Sequence, residues 1–246
     1  MIRESGQAIV RFAYDHVFPI TVAPPPSARK PDEFHSGSGF FVRIGGRAYL
    51  ATADHVLNHY LVHRHNPAGI LMQAAQFRLW PEERPIWRDE VSDIAFVEIT
   101  ETEARSVGRL IVDPPLGWPP RQPAVGSYVV YSGFPAYVRE RPDAVTTHFN
   151  ALSSLMRVAT VGERYFVCQF EREEWVNFSH AQMPEPGTSL GGMSGGPVFA
   201  NGPLAFPLVG LISEFSQDFE LLYVKSFESV PQELPTTVLE PRDNPV

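Results

Sequence analysis

Along the first half of the chain the apolar residues fall into short alternating runs rather than long helical stripes. In "GFFVRIGGRAYLAT", residues 39–52, Phe40, Val42 and Ile44 alternate around Arg43, Gly45 and Gly46 fill a two-residue turn, and Ala48, Leu50 and Thr52 return. That is the pattern of a β-hairpin. "FRLW", "DIAFVEI" and "RLIV" read as further strands, and "HVLNHYLVHR", residues 55–64, is the one amphipathic helix expected in this half. Five prolines crowd into "DPPLGWPPRQP", residues 113–123, a stretch that cannot join a ladder and reads as an extended connector. Beyond it "SYVVYSGFP", "RYFVCQF", "EWVNFSH", "GGPVFA", "PLVGLIS" and "LLYVKSF" restore the strand pattern at the spacing of barrels and sandwiches. The pattern predicts an all-β chain in two halves, residues 1–115 and 116–230. A proline-punctuated tail over 231–246 is expected to be a short helical turn and then loosely held chain.

Composition narrows the function classes. The formal net charge of -8 disfavours a non-specific nucleic-acid binder, which needs clustered Lys and Arg. Cys168 is the single cysteine, so the fold is expected to hold without a disulfide, as suits a reducing compartment. Arg3, Glu4, Arg11 and Asp15 break up the apolar residues near the amino terminus, and the most apolar stretch, "PLAFPLVGLI", is interrupted by proline and glycine. Neither has the length of a signal peptide or of a membrane helix. The expectation is a soluble cytoplasmic protein with no nucleic-acid or membrane partner.

The chemistry centres on "LGGMSGGPVF", residues 190–199, where Ser194 stands among four glycines. G-x-S-x-G is the elbow of α/β-hydrolases, but those place their histidine after the serine, and here all eight histidines precede Ser194. The surviving order is histidine, acid, serine. Only His55, in "YLATADHVL", follows a strand immediately, where it can be aimed into a cleft. Asp93 opens the apolar "DIAFVEI", so its carboxylate is partly buried and needs a partner, for which a histidine Nδ1–H is the expected choice. Asp93 lies 38 residues after His55 and 101 before Ser194, which places histidine and aspartate in the first half and serine in the second.

"GSGFFV", "TADHVL", "DIAFVEI" and "GMSGGPVF", with "YSGFP" and "PLVGLIS", resemble the trypsin/chymotrypsin-like serine peptidases, in their bacterial or intracellular form without disulfides or a PDZ domain. The resemblance runs from about Gly37 to Lys225 and implies two six-stranded antiparallel β-barrels with the active site in the cleft between them. It implies a triad of His55, Asp93 and Ser194, with the N–H groups of Gly192 and Ser194 as an oxyanion hole worth roughly 3 kcal/mol per donor. A pocket framed by Thr188, Ser213, Glu214, Phe215 and Leu221 is implied too. No aspartate stands at its floor, which argues against strict Arg or Lys preference. Substrates would be proteins or peptides, no cofactor or metal is needed, and a regulatory protein partner is one route to restraint.

Two residues depart from the pattern. Met193 stands where relatives activated by cleavage carry an aspartate that pairs with a freed amino terminus, so another route to the active loop is expected. Asp54 replaces a small residue and reads as the N-cap of the following helix. Two other functions compete: a catalytically silent trypsin-fold binding module, and a metal site from His55, His59, His63 and His65, which lacks the glutamate of H-E-x-x-H. Cys168 reads as a small buried hydrophobe rather than a second nucleophile.

Overall fold

The computed structural model describes residues 2–25, 34–66, 69–114, 117–143, 146–172, 182–202 and 205–238. The chain opens with helix α1 (Ile2–His16), then β1 (Val17–Ala23), β2 (His35–Ile44), β3 (Arg47–Thr52) and α2 (Asp54–His63). It continues with β4 (Leu71–Ala74), β5 (Phe77–Leu79), β6 (Pro85–Asp89), β7 (Ile94–Ile99), α3 (Glu101–Val107) and β8 (Ile111–Val112). After the proline-rich connector come β9 (Tyr128–Gly133), β10 (Leu152–Val161), β11 (Tyr165–Gln169), β12 (Pro197–Ala200), β13 (Leu208–Ser216), β14 (Leu221–Ser226) and the short β15 (Thr237–Val238). The expected strand "EWVNFSH" lies outside the described residues. No helix among the described residues is long and apolar enough to cross a membrane.

Strands β9 to β14 close into a six-stranded antiparallel barrel in the order β10-β11-β14-β13-β12-β9. In β14, buried Leu222, Val224 and Ser226 alternate with half-buried neighbours, the period-two signature of a strand with one face inward. The two-barrel architecture that the resemblance implies is present, with the first sheet as a curled half-barrel rather than six closed strands. That sheet has nine strands in the order β15-β6-β7-β3-β2-β1-β4-β5, with β8 parallel to β2. Two partners occupy one edge of the long β2, β1 along its first part and β8 at Phe41 and Val42. The end strands β5 and β15 have only three and two residues.

The β2–β3 hairpin turns at Gly45 and Gly46, both at positive φ, with Ile44 opposite Arg47. Strand β1 has a proline inside it, which masks it in the sequence. The Pro19 carbonyl accepts from Ala75 N at 2.8 Å, so its missing N–H faces the end of β4 rather than the ladder with β2. Helix α3 carries a capping box, Thr100 with Glu103, and ends at Gly108 with φ 74°. The connector at residues 113–123 contributes no strand among its described residues.

Two segments cross between the halves. Buried Val10 and Ala13 and half-buried Phe12 of α1 pack against the second barrel, with the Phe12 ring 5.0 Å from that of Phe199. At the other end Phe227 and Val230 enter the first core, and Phe227 stacks 5.3 Å from Trp118 and 5.8 Å from Phe96. The tail is thus held through Val238, where Thr237 and Val238 pair with Ile86 and Pro85. A loosely held tail was expected because its few apolar residues show no period of their own. They pack on a sheet more than a hundred residues away.

Phe227 fills the first core from the second half with no exposed surface. Phe227→Ala is expected to lower unfolding stability by about 3–5 kcal/mol, read as a drop in urea midpoint with unchanged slope; a loss below about 1 kcal/mol would show that the two cores are not joined through it.

Candidate active site

The loop from β3 into α2 and the turn into β7 present two side chains to each other. His55 lies in the first turn of α2, and Asp93 is the last residue before β7, in a turn that gives it φ 52°. The Asp93 carboxylate accepts from the backbone N–H of His55 at 2.9 Å, and both its oxygens lie 3.0 Å from His55 Nδ1. The backbone closes the same contact, Asp54 N–H donating to the Asp93 carbonyl at 3.2 Å. From the second barrel, Ser213 Oγ donates to Asp93 Oδ2 at 2.7 Å.

Burial disfavours the Asp93 charge, but the hydrogen bonds from His55 and Ser213 outweigh it and hold the carboxyl below its ordinary range. The hydrogen bond to Asp93 raises the pKa of His55, burial opposes the rise, and the Asp93, Asp54 and Glu214 charges reinforce it.

Ser194 reaches the same cleft from the loop before β12. The cleft, about 420 Å³, is lined by His55, Asp93 and Ser194 together with Ser189, Leu190, Gly191, Met193 and residues 212–215. Ser194 Oγ donates to the carbonyl of Ser213 at 2.8 Å rather than to His55. Around it the loop is shaped by glycines. Gly192 has φ 97° and Gly195 φ 89°, and a Cβ on Gly195 would stand 2.2 Å from the Ser38 carbonyl oxygen. No other residue fits there.

Two N–H groups point away from this scaffold. The Gly191 carbonyl accepts from Ala136 N at 2.7 Å and the Met193 carbonyl from Gly196 N at 2.9 Å. In a trans peptide the following N–H points the opposite way, so the N–H groups of Gly192 and Ser194 are turned from those anchors. Neither has an acceptor among the described residues.

The loop is fixed from the first sheet by Ser38, which is fully buried. Its hydroxyl donates to the Gly192 carbonyl at 2.9 Å and accepts from Phe134 N–H at 2.9 Å, and its own N–H donates to the Ser194 carbonyl at 2.8 Å. Met193, 1% exposed, turns into the core of the second barrel and lies against Gly133. The position that would hold an ion-pairing aspartate is an apolar plug.

Several expected residues lie elsewhere. Ser213, Glu214 and Phe215 line the cleft, but Thr188 borders a neighbouring cavity with Tyr137 and Arg139, and Leu221 sits on β14 opposite Ser216, outside the cleft lining. Ser189, Leu190 and Gly191 occupy the wall instead. Asp54 is not an N-cap: Ala53 holds that position without a side-chain bond, and the Asp54 carboxylate pairs with Arg88 at 2.6 and 2.8 Å. Its arginine partner lies on β6, 34 residues further along the chain, out of reach of a local sequence pattern. His55 turns to Asp93, His63 Nδ1 bonds the His59 carbonyl, and His59 stacks on His35. No group of three His, Cys, Asp or Glu among the described residues is arranged to hold a metal ion. Cys168 is buried in the barrel, which pushes its thiol up to about 12.

Residues 37–204 match the family model described as a trypsin-like peptidase domain. No curated protein matches the chain. Among solved structures it is similar to a thermostable serine protease, AL20, from an extremophilic microorganism (15% identity, TM-score 0.47, 87% of this chain and 93% of that one). It is likewise similar to the protease Anisep from Arthrobacter nicotinovorans (16%, TM-score 0.45, 87% and 90%) and to tobacco etch virus protease complexed with product (10%, TM-score 0.48, 88% and 75%).

Two measurements follow from this geometry. Ser38→Ala leaves a buried carbonyl and a buried N–H unpaired and is expected to cost about 1–3 kcal/mol of stability, measured by chemical denaturation; no loss would mean that the loop does not lean on this hydroxyl. By NMR titration His55 should have a pKa above 6.5, which falls in Asp93→Asn and falls less in Glu214→Gln; an unshifted value in Asp93→Asn would contradict the pairing.

Proposed function

This chain belongs to the family of trypsin-like peptidase domains, and from that membership we propose that it is a serine endopeptidase working through an acyl-enzyme. The observation that carries the proposal is the convergence of the His55–Asp93 pair and Ser194 on one cleft, beside two backbone N–H groups without acceptors. Ser194 Oγ attacks the scissile carbonyl while His55 Nε2 takes its proton. The tetrahedral oxyanion is held by the N–H groups of Gly192 and Ser194. His55 then gives the proton to the leaving amine, and water hydrolyses the ester by the same route in reverse. Asp93 fixes the imidazole tautomer and stabilises the imidazolium, and Ser213 keeps the carboxylate in place.

The acyl part of a protein or peptide substrate would occupy the cleft walled by Ser189–Gly191 and Ser213–Phe215. No cofactor enters the scheme. Met193 makes the loop independent of a cleaved amino terminus, so a full-length chain is active on this reading. The single buried cysteine fits action in the cytoplasm.

The silent binding module has one observation in its favour: the Ser194 hydroxyl is engaged by the Ser213 carbonyl. Rotation about χ1 of Ser194 exchanges that acceptor for His55, and hydrogen bonds of this kind often tighten only when substrate is bound.

A fluorophosphonate probe separates the readings. Covalent labelling of the wild type that is lost in Ser194→Ala supports the enzyme, whereas a folded wild type that takes no label would falsify it. His55 must be neutral to accept a proton, and its pKa is raised above 6.5 by Asp93. Activity is therefore expected to be lost as pH falls through a value above 6.5, and Asp93→Asn to lower kcat by about 10,000-fold.

A further inference from the structure

Beside the oxyanion loop stands an arginine that no carboxylate among the described residues pairs with. Arg139, just beyond the end of β9, is half-buried between aromatic rings, its guanidinium carbon 4.8 Å from the centre of Phe34 and 5.3 Å from that of Phe149. Among the described residues its guanidinium donates to Ser36 Oγ, its Nε is buried with no partner, and no carboxylate pairs with it. Burial and the neighbouring Arg141 both disfavour its charge. His35, one residue before Ser36, has a buried Nε2 with no partner and stacks on His59 at 4.1 Å. Burial, reinforced by His59, His55, Arg139 and His63, lowers the pKa of His35 to about 4 and keeps its ring neutral.

A half-buried guanidinium is costly unless it is paired, and although Glu140 and Glu185 line the cavity beside Arg139, neither pairs with it, so its fork is the complement of an anion. Its position says which part of a substrate it meets. Ser36 Oγ lies 3.3 Å from where a Cβ on Gly192 would stand, and a Cβ on Gly37 would lie 3.1 Å from the Ser194 carbonyl oxygen. The first residues of β2 therefore run beside Gly192 and the Ser194 carbonyl, while Ser189–Gly191 and Ser213–Phe215 wall the cleft. If the acyl half of a substrate fills that wall, the leaving half runs along β2 toward Arg139.

We propose that Arg139 and Ser36, backed by His35, form a carboxylate-binding subsite that selects substrates with an acidic group on the leaving-group side of the cleaved bond. This rests on the peptidase reading above. The carboxylate is supplied either by an Asp or Glu side chain or by the end of the substrate chain. Arg is the side chain suited to it, since its planar fork can keep Ser36 on one nitrogen and offer others to a carboxylate.

The test digests a proteome-derived peptide library, once with free and once with amidated carboxyl termini, and sequences the new amino termini. With the wild type, Asp and Glu within the first three positions after the cut, or cuts within three residues of a free terminus, should be enriched about tenfold. Which of the two is enriched names the source. Arg139→Gln should abolish the enrichment while still cleaving, and Arg139→Lys should keep part of it. Equal cleavage of acidic and neutral peptides by the wild type, or an enrichment unchanged in Arg139→Gln, overturns the subsite.

A second arm does not depend on turnover. A fluorescein-labelled peptide rich in Glu should bind the Ser194→Ala protein about tenfold more tightly than its Gln counterpart, and this difference should vanish when Arg139→Gln is added. Equal affinities overturn the subsite. Failure of the wild type to take fluorophosphonate label or to cut any peptide sinks the peptidase reading instead, and the binding arm still decides this one.

Discussion

The cleft depends on a buried seam of hydrogen bonds between the two sheets, and Ser38 is its centre. One residue of β2 bonds to both Gly192 and Ser194 of the loop and to Phe134 at the end of β9, and its carbonyl accepts from Thr52 Oγ1. Ser213 makes the complementary crossing, from β13 to Asp93. Neither sheet holds the arrangement alone. His55 and Asp93 come from one, Ser194 and its loop from the other, and each side supplies the group that orients the other's. A small change in how the sheets dock would move the imidazole, the hydroxyl and the two N–H groups relative to one another, which is why so much non-polar surface is committed to holding the sheets in place.

That commitment is visible in the crossings. Helix α1 precedes the first sheet in sequence but packs on the second barrel, and Phe227 and Val230 follow the second barrel but lie in the first core. The chain laces its halves from both ends. Apolar contacts of this kind lack direction, so they supply docking strength, while the few hydrogen bonds of Ser38 and Ser213 supply register. Burial without the bonds would leave the sheets free to slide, and the bonds without burial would exchange with water at little net gain.

What could be read from the sequence follows the same division. Glycine turns, the β2–β3 hairpin, the strand-end position of His55 and the glycine loop around Ser194 are fixed by local backbone geometry, so their residues announce them. Strand β1 and helix α1 were hidden because Pro19 interrupts one and charges interrupt the other, while the surface that stabilises each belongs to a distant part of the chain. Strand β10 was hidden by Ser153 and Ser154, two buried polar residues, of which Ser153 pairs its Oγ with Ser132 Oγ inside the barrel. Thr188 was expected in the pocket by counting back from the nucleophile, which assumes a loop length, and Leu221 by its place on the following strand; neither lines the cleft, because tertiary structure sets which residues reach its wall. The partner of Asp54 was likewise out of reach, 34 residues away on β6.

Met193 ties these points to how the loop is held. An aspartate at this position would need a partner charge, and a buried ion pair gains little net stability once desolvation is counted. A buried methionine contributes on the order of 1.5–3 kcal/mol by leaving water and asks for no partner, while the neutral hydrogen bonds from Ser38 fix the carbonyls on either side of it. Both are present whenever the protein is folded. The shape of the loop is then held by contacts within the folded chain itself.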